Sequence, residues 1–493
     1  MSVDFNRRSF MKRSAASSIT LMLPSFVATA GENLAALTGK NMPAYQGWMD
    51  VYRKQWTWDK VVRGTHLVNC WYQSHCAWDV FVKDGVVFRE EQAAEYKQVN
   101  PNLPDYNPRG CNKGSCFSER MYDPARIKYP LKRVGPRGSG KWQRVSWDQA
   151  LGEIADEFID VVEKEGTDRI IWDLGPTIDF GTTFAGIARF IQHTRGIALD
   201  MNTEIGDGHR GAAETFGKMV GDRSADDWFY SDLILIWGCN PVYTQIPNAH
   251  FLTEARYNGT RIITISPDYN ASATKADLWV PVHPGGDAAL ALAVAHLLIE
   301  KGKIDRSFIC EQTDLALLVR GDTGRFLSEA DVKVGGSAER HVLKDEASNT
   351  VVTAPFRSLA LENIKPALEV RERLQLVDGT MVEVRTAFSM LCERLRDYTP
   401  EHASTLCGTP PNMIRKLAEE IGRAKAMCNV TTSNLNKYYH GNLAERSLIL
   451  LFALTGQFGR KGTGYSAFPF LTIDGPDRFA IIPSMDAWPK IEK

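Results

Sequence analysis

Apolar positions recur along this chain with two different periods. Beyond Ser146, the residues Ala150, Leu151, Ile154, Phe158 and Val161 or Val162 return at the spacing of an amphipathic helix, which Ser146 can cap and Gly166 can stop. A short apolar run over 169–172 then predicts a strand, ended by the turn Gly175-Pro176. Farther on, 232–237 and 261–266 are apolar with little alternation, the pattern of strands covered on both faces, and helical sequence lies between them over 249–257. A third run, 278–282, leads through Gly285-Gly286-Asp287 into a helix over 288–300. Strand, helix and strand at this spacing imply an α/β fold with a doubly wound, mostly parallel sheet.

In such sheets ligands sit beyond the carboxyl ends of the strands, where turns expose backbone N–H groups. Those ends here are Gly238-Cys239-Asn240-Pro241 and Ser266-Pro267-Asp268. The first can cradle a diphosphate and Asp268 can accept from a ribose hydroxyl, although ordinary turn chemistry accounts for the same residues. The turn is not the Gly-x-Gly-x-x-Gly fingerprint, which argues against a nicotinamide dinucleotide and leaves another nucleotide-bearing cofactor open.

Composition adds little: 493 residues, 44% hydrophobic, 24% charged, with a formal net charge of -1, give no basic patch for nucleic acid or an anionic membrane surface. The length suits two or three packed units. The N-terminus is more informative. Arg7-Arg8-Ser9-Phe10-Met11-Lys12 precedes a weakly apolar stretch from Ala15 to Leu23 and a small-residue end, Ala28-Thr29-Ala30. Residues 1–30 therefore read as a twin-arginine export signal, too short in its apolar run to span a bilayer, and the expected location is the periplasm. A basic disordered tail explains neither the Phe nor the Ala-x-Ala ending.

Metal chemistry is suggested by His66-x3-Cys70-x5-Cys76 and, after a gap of 34 residues, Cys111 within Asn-Pro-Arg-Gly-Cys-Asn-Lys-Gly. Three thiolates and one imidazole suit a 4Fe-4S cluster, the imidazole making the site less negative and raising its potential. Two rivals stand beside this: a Cys70–Cys76 disulfide in an exported protein, and zinc, for which Cys111 and Cys116 make a poor second pair. Of nine cysteines, the remaining Cys116, Cys239, Cys310, Cys392, Cys407 and Cys428 show no framework spacing and read mostly as packed thiols.

These residues carry a resemblance. His-Leu-Val-Asn-Cys (66–70), Val-Lys-Asp-Gly-Val-Val-Phe-Arg-Glu-Glu-Gln (82–92), the block around Cys111, Tyr-Pro-Leu-Lys-Arg-Val-Gly (129–135), Ile-Gly-Asp (205–207), Ala-His-Phe-Leu-Thr-Glu-Ala-Arg-Tyr (249–257), Ser-Pro-Asp-Tyr-Asn (266–270) and Cys-Glu-Gln-Thr-Asp-Leu (310–315) resemble the molybdenum-containing catalytic subunits of the dimethyl sulfoxide reductase family. The likeness is to its type II periplasmic branch: ethylbenzene, steroid and dimethylsulfide dehydrogenases and selenate, chlorate, perchlorate and nitrate reductases. It runs from about residue 43 to the end and implies an iron–sulfur domain over 43–135 followed by molybdopterin α/β domains over 136–493. His66, Cys70, Cys76 and Cys111 would hold the cluster, with Lys113 between cluster and pterin. The resemblance also implies molybdenum on a bis(molybdopterin guanine dinucleotide), with Gly238, Asn240, Asp268 and Asp287 near one guanosine arm. Asp207 is the expected molybdenum ligand, a hard oxygen donor flanked by Gly206 and Gly208 that let backbone crowd a bulky cofactor. Lys437 matches a lysine lining the active site of hydrocarbon dehydrogenases. The branch further implies an iron–sulfur β subunit and a haem b γ subunit.

Two departures qualify the likeness. After Leu174-Gly175-Pro176 the hydrocarbon dehydrogenases carry a catalytic histidine, where this chain has Thr177-Ile178-Asp179-Phe180. His209 is the nearest substitute, and Trp-Gly-Cys-Asn-Pro (237–241) looks more like the oxyanion reductases and dimethylsulfide dehydrogenase. Substrate and direction stay open. The family's catalytic subunits are also roughly twice this length, beyond the usual single-core range, so the resemblance covers their N-terminal half and a C-terminal β-barrel domain is expected to be missing. A noncatalytic electron-transfer or cofactor-binding module is accordingly a second expectation; a nicotinamide dehydrogenase is a third, disfavoured one.

Overall fold

The computed structural model describes residues 57–64, 76–93, 100–104, 110–173, 182–199, 209–217 and 225–466. His66, Cys70, Asp179, Asp207 and the export signal lie outside the described residues. By contacts the chain divides into two units. The smaller contains 57–62 and 81–88. In it Asp84 and Gly85 both take left-handed backbone, φ 50° and 78°, the Asp-Gly turn that suits a tight hairpin. Trp58 lies edge-on to Phe81 at 4.6 Å.

The larger unit contains 63–80 and 89–466. Its centre is a four-stranded parallel sheet built from β1 (Leu233–Trp237), β2 (Arg261–Ser266), β3 (Leu278–Pro281) and β4 (Met427–Val430), in the order β3-β2-β1-β4. All three pairings are parallel, Leu233 lying opposite both Arg261 and Met427. Every residue of β1 is buried because both faces are covered. Leu233, Leu235 and Trp237 enter one apolar cluster, Ile234 and Ile236 another. The first cluster is completed by helices Asp287–Glu300, Pro411–Arg423 and Gly441–Leu454; the second by helix Ile246–Ala255 with Trp228 and Phe229. The doubly wound α/β expectation is met.

The helices of this unit include α1 (Trp147–Lys164), α2 (Arg210–Phe216), α3 (Ile246–Ala255), α4 (Asp287–Glu300) and α5 (Gly441–Leu454). Ser146 caps α1 as expected, its Oγ accepting from the Gln149 N–H at 3.1 Å. No residue of α1 is buried among the described residues, so its apolar stripe is not part of the sheet's core. The strand expected over 169–172 is shorter, Ile171–Trp172, because Thr167–Arg169 closes into a 3-10 turn and the partner strand has two residues, Ile197–Ala198. The helix expected over 249–257 starts earlier and ends at Ala255, after which Arg256–Asn258 tightens toward left-handed Gly259.

An antiparallel module lies between Gln312 and α-helical Ala387–Leu395. Leu318–Arg320, Met381–Thr386 and Arg371–Gln375 form one sheet, Val342–Asp345 and Thr350–Thr353 a hairpin. Leu318, Leu327, Val342, Val370, Val382 and Val384 give it a core of its own. No β-barrel occurs among the described residues, and no described helix is long and apolar enough to cross a membrane.

Candidate functional site

The first turns of α2 and α5 meet, and glycine permits it. A Cβ on Gly211 would strike the Asn442 carbonyl and come within 2.7 Å of the Glu445 Cβ, so only bare backbone lets the helices touch there. Both helices start from a left-handed histidine, His209 with φ 54° and His440 with φ 57°. Between them Glu445 is fully buried and receives four hydrogen bonds. Its Oε1 accepts from His209 Nδ1 at 2.6 Å and the Tyr465 hydroxyl at 2.8 Å. Its Oε2 accepts from the Ala212 N–H at 2.9 Å and Asn436 Nδ2 at 3.0 Å. Burial alone would raise this carboxyl, but the bond from His209, the electrostatic pull of that ring, and the Tyr465 and Asn436 donors together bring it below the ordinary carboxylate range. It is therefore a carboxylate, and the facing His209 nitrogen is the one that carries hydrogen. Burial and the Glu445 charge push Tyr465 well above its usual value, keeping its proton in place.

His209 is thus deep in the protein rather than on a surface. Lys437, by contrast, is exposed. It stands between Asn436, bonded to Glu445, and Tyr438, which lines a cavity of about 480 Å³ with Gly285, Asp287, Tyr398, His440 and Arg446. Asp287, the first residue of α4, is 7% exposed. One of its oxygens accepts from Trp237 Nε1 at 2.8 Å, and burial raises its carboxyl although Trp237 and the backbone pull the other way.

Trp237 leads directly to Gly238, which leaves β1 with φ 69°. At this end residues after β4 satisfy the carbonyls of β1: Thr431 Oγ donates to the Trp237 carbonyl at 2.8 Å, and Asn434 Nδ2 to the Gly238 carbonyl at 2.6 Å. The connections of β1 run one way to β2 and the other side of β1 is taken by β4, making this crevice the switch point of the sheet. Asn240 is less available than expected, since its Oδ1 accepts both the Ser272 N–H at 3.2 Å and the Ser272 hydroxyl at 2.7 Å. It ties the loop after β1 to the loop after β2. Asp268 is exposed at the end of β2, its carbonyl accepting from Ser266 Oγ at 2.7 Å. Cys239 is a packed thiol: burial pushes it far above its ordinary value, and its Sγ faces the Val430 carbonyl at 3.2 Å.

Of the four proposed cluster ligands, Cys76 and Cys111 are described. Cys111 is buried and begins the turn Asn112–Ser115, its carbonyl accepting the Gly114 and Ser115 N–H groups at 3.0 and 3.2 Å. Before it, Gly110 donates its N–H to Gln92 Oε1, and a Cβ there would run into Gln92 and Trp78. Beyond it, Ser118 donates to Glu90 through both its N–H and its hydroxyl, the latter at 2.8 Å. Lys113 is exposed on this turn. No group of three or more His, Cys, Asp or Glu side chains arranged to hold a metal occurs among the described residues, which include only half of the proposed ligand set.

The sequence reading missed Glu445, Tyr465 and the Trp237 side chain. A signal was present for Glu445, which falls with Leu448 and Phe452 on the inward stripe of α5, where an acid is out of place.

The profile of the family described as molybdopterin oxidoreductase matches residues 126–477. The chain belongs to this family. Among its relatives, the dimethylsulfide dehydrogenase subunit alpha of Rhodovulum sulfidophilum is 40% identical over 85% of this chain and 46% of its own length. The perchlorate reductase subunit alpha of Dechloromonas aromatica is 38% identical over 94% and 52%. The chlorate reductase subunit alpha of Ideonella dechloratans is 40% identical over 87% and 47%. The chain therefore spans about half the length of the curated relatives it matches. Acetylene hydratase from Pelobacter acetylenicus shares the fold, with a TM-score of 0.54 at 20% identity over 81% of this chain and 44% of that one.

Proposed function

We propose that the chain is the cofactor-holding part of the catalytic alpha subunit of a periplasmic respiratory oxidoreductase, carrying molybdenum on two molybdopterin guanine dinucleotides beside a 4Fe-4S cluster. The observation that carries this reading is the Asp287 carboxylate, almost wholly buried, bonded through one oxygen to Trp237 and lining a cavity walled by tyrosines. A guanine edge offers the adjacent N–H donors such an acceptor needs. Left-handed Gly238 at the switch point lets backbone approach a diphosphate. The residues present thus fit the nucleotide arm of such a cofactor.

Bound molybdenum would supply two-electron exchange with an oxygen atom or its equivalent at the substrate. Asp207 would hold the metal, and His66, Cys70, Cys76 and Cys111 the cluster, with Lys113 beside it. Lys437 would present a cation near the reacting centre, and His209, fixed by Glu445, would orient that side of the site. The relatives, a dimethylsulfide dehydrogenase, a perchlorate reductase and a chlorate reductase, support a substrate of the dimethylsulfide or oxyanion type. Their designation as alpha subunits supports partner subunits, for which we propose an iron–sulfur β chain and a haem b γ chain.

Metal analysis tests the reading: molybdenum together with about four irons per chain is expected, and iron alone would instead favour a noncatalytic electron-transfer module. Asp207→Ala should abolish turnover with iron content intact. His66→Ser should change the cluster's low-temperature electron paramagnetic resonance spectrum, and an identical spectrum would remove His66 from the ligand set. An anaerobic dye-linked assay against selenate, chlorate, nitrate, dimethylsulfide and ethylbenzene assigns the substrate.

A further inference from the structure

We propose that Glu445 is a positioning residue: one carboxylate sets the register between the segment beginning at His209 and the segment carrying Lys437. This deepens the molybdenum reading above and rests on it. The two segments are more than two hundred residues apart in the chain, and Glu445 joins them through His209 and Ala212 on one side and Asn436 on the other, with Tyr465 adding a third segment. The join is reinforced by Asn436, whose Oδ1 also accepts from the Gly211 N–H at 3.4 Å. Gly441 makes it tight, since a Cβ there would come within 2.6 Å of the Asn436 backbone.

An apolar side chain would fill the same volume on the inward stripe of α5, because Leu448 and Phe452 do so one and two turns along. It would set no register. Dispersion is non-directional, whereas a carboxylate bonded at both oxygens fixes the angle and distance of each donor. Burying that charge is tolerable only with its lone pairs used, and four donors use them. A group invested with four directional bonds between two chemistry-bearing segments is built to hold them in relation to each other.

The test uses the full chain, produced anaerobically with its partners and loaded with metal. Glu445→Gln keeps the volume but points an NH2 at donors that need an acceptor. Molybdenum and iron contents are expected to match the wild type. The molybdenum electron paramagnetic resonance signal should shift, turnover should fall roughly 10²-fold as expected for a small misplacement of reacting groups, and amide hydrogen exchange across Arg210–Phe216 should quicken. Leu448→Met, a packing change on the same helix, should leave the signal unmoved. If Glu445→Gln does not accumulate as folded protein, Tyr465→Phe removes one donor from the same carboxylate and should shift the signal in the same sense by less. A loaded, folded variant with unchanged signal and turnover overturns the proposal while leaving the molybdenum reading intact. Wild-type protein without molybdenum overturns both.

Discussion

Two buried carboxylates, Asp287 at the start of α4 and Glu445 near the start of α5, sit on neighbouring helices of one layer and behave in opposite ways. Glu445 is bonded at both oxygens by four protein donors and its carboxyl is held below the ordinary range. Asp287 is bonded through one oxygen by Trp237, lines a cavity, and is raised. A carboxylate satisfied by its own protein is a brace. One bonded by a single side chain beside a cavity can still take donors from a ligand.

The difference can be broken by mutation. Glu445→Ala strands His209, Tyr465, Asn436 and the Ala212 N–H together, and should cost about 3–5 kcal/mol in denaturant unfolding. Asp287→Asn keeps an acceptor for Trp237 while removing a buried charge. Its denaturation midpoint is expected to hold or rise, while retention of the proposed guanine nucleotide cofactor, measured on the isolated protein, should fall; a loss of stability comparable to that of Glu445→Ala would erase the distinction.

Acidity sharpens it further, because the two groups have opposite signs. Glu445 has a depressed folded-state pKa, so its stabilisation is complete above the ordinary carboxylate range and is lost as pH falls through the folded value. Asp287 has a raised one. It binds its proton more tightly when folded, so its contribution weakens as pH rises from the ordinary carboxylate range through the raised value. Thermal midpoints of wild type, Glu445→Gln and Asp287→Asn across the acid range should show each variant flattening a different slope. The smallest effect is expected at the loop joint: Ser272→Ala removes one donor to Asn240 and should cost about 1 kcal/mol, with cofactor retention less affected than in Asp287→Asn.

Much of the fold was readable from the chain. The strands at 232–237, 261–266 and 278–282 and the helix after them appear within a residue or two of their expected limits, since uninterrupted apolar runs have few other ways to be buried. The fourth strand, Met427–Val430, was not read: four residues containing Cys428 and Asn429 carry too little periodicity, and Asn429 is tolerable there because Ser466 satisfies both ends of its amide. Nor was the antiparallel module read: its strands are short, and Leu318–Arg320 finds its partner, Met381–Thr386, more than sixty residues away. Gly238 as the turn that ends a strand and Asp287 as the acid at a helix start were legible because both follow local rules; a place for Asp287 near a nucleotide came only from the resemblance. Asn240 was legible as a position but not as a partner of Ser272.

What the sequence by itself determined is therefore three strands of the central sheet with the helices between and after them, their parallel winding and the family of the chain, all of which follow from local periodicity and ordered motifs. Which side chains complete the site was decided only in three dimensions. Glu445, Tyr465 and His209 are brought together from positions some twenty to more than two hundred residues apart, and a hydrogen bond between such residues leaves no periodic trace in the chain. Its existence depends on an angle and a distance that only the packed helices supply.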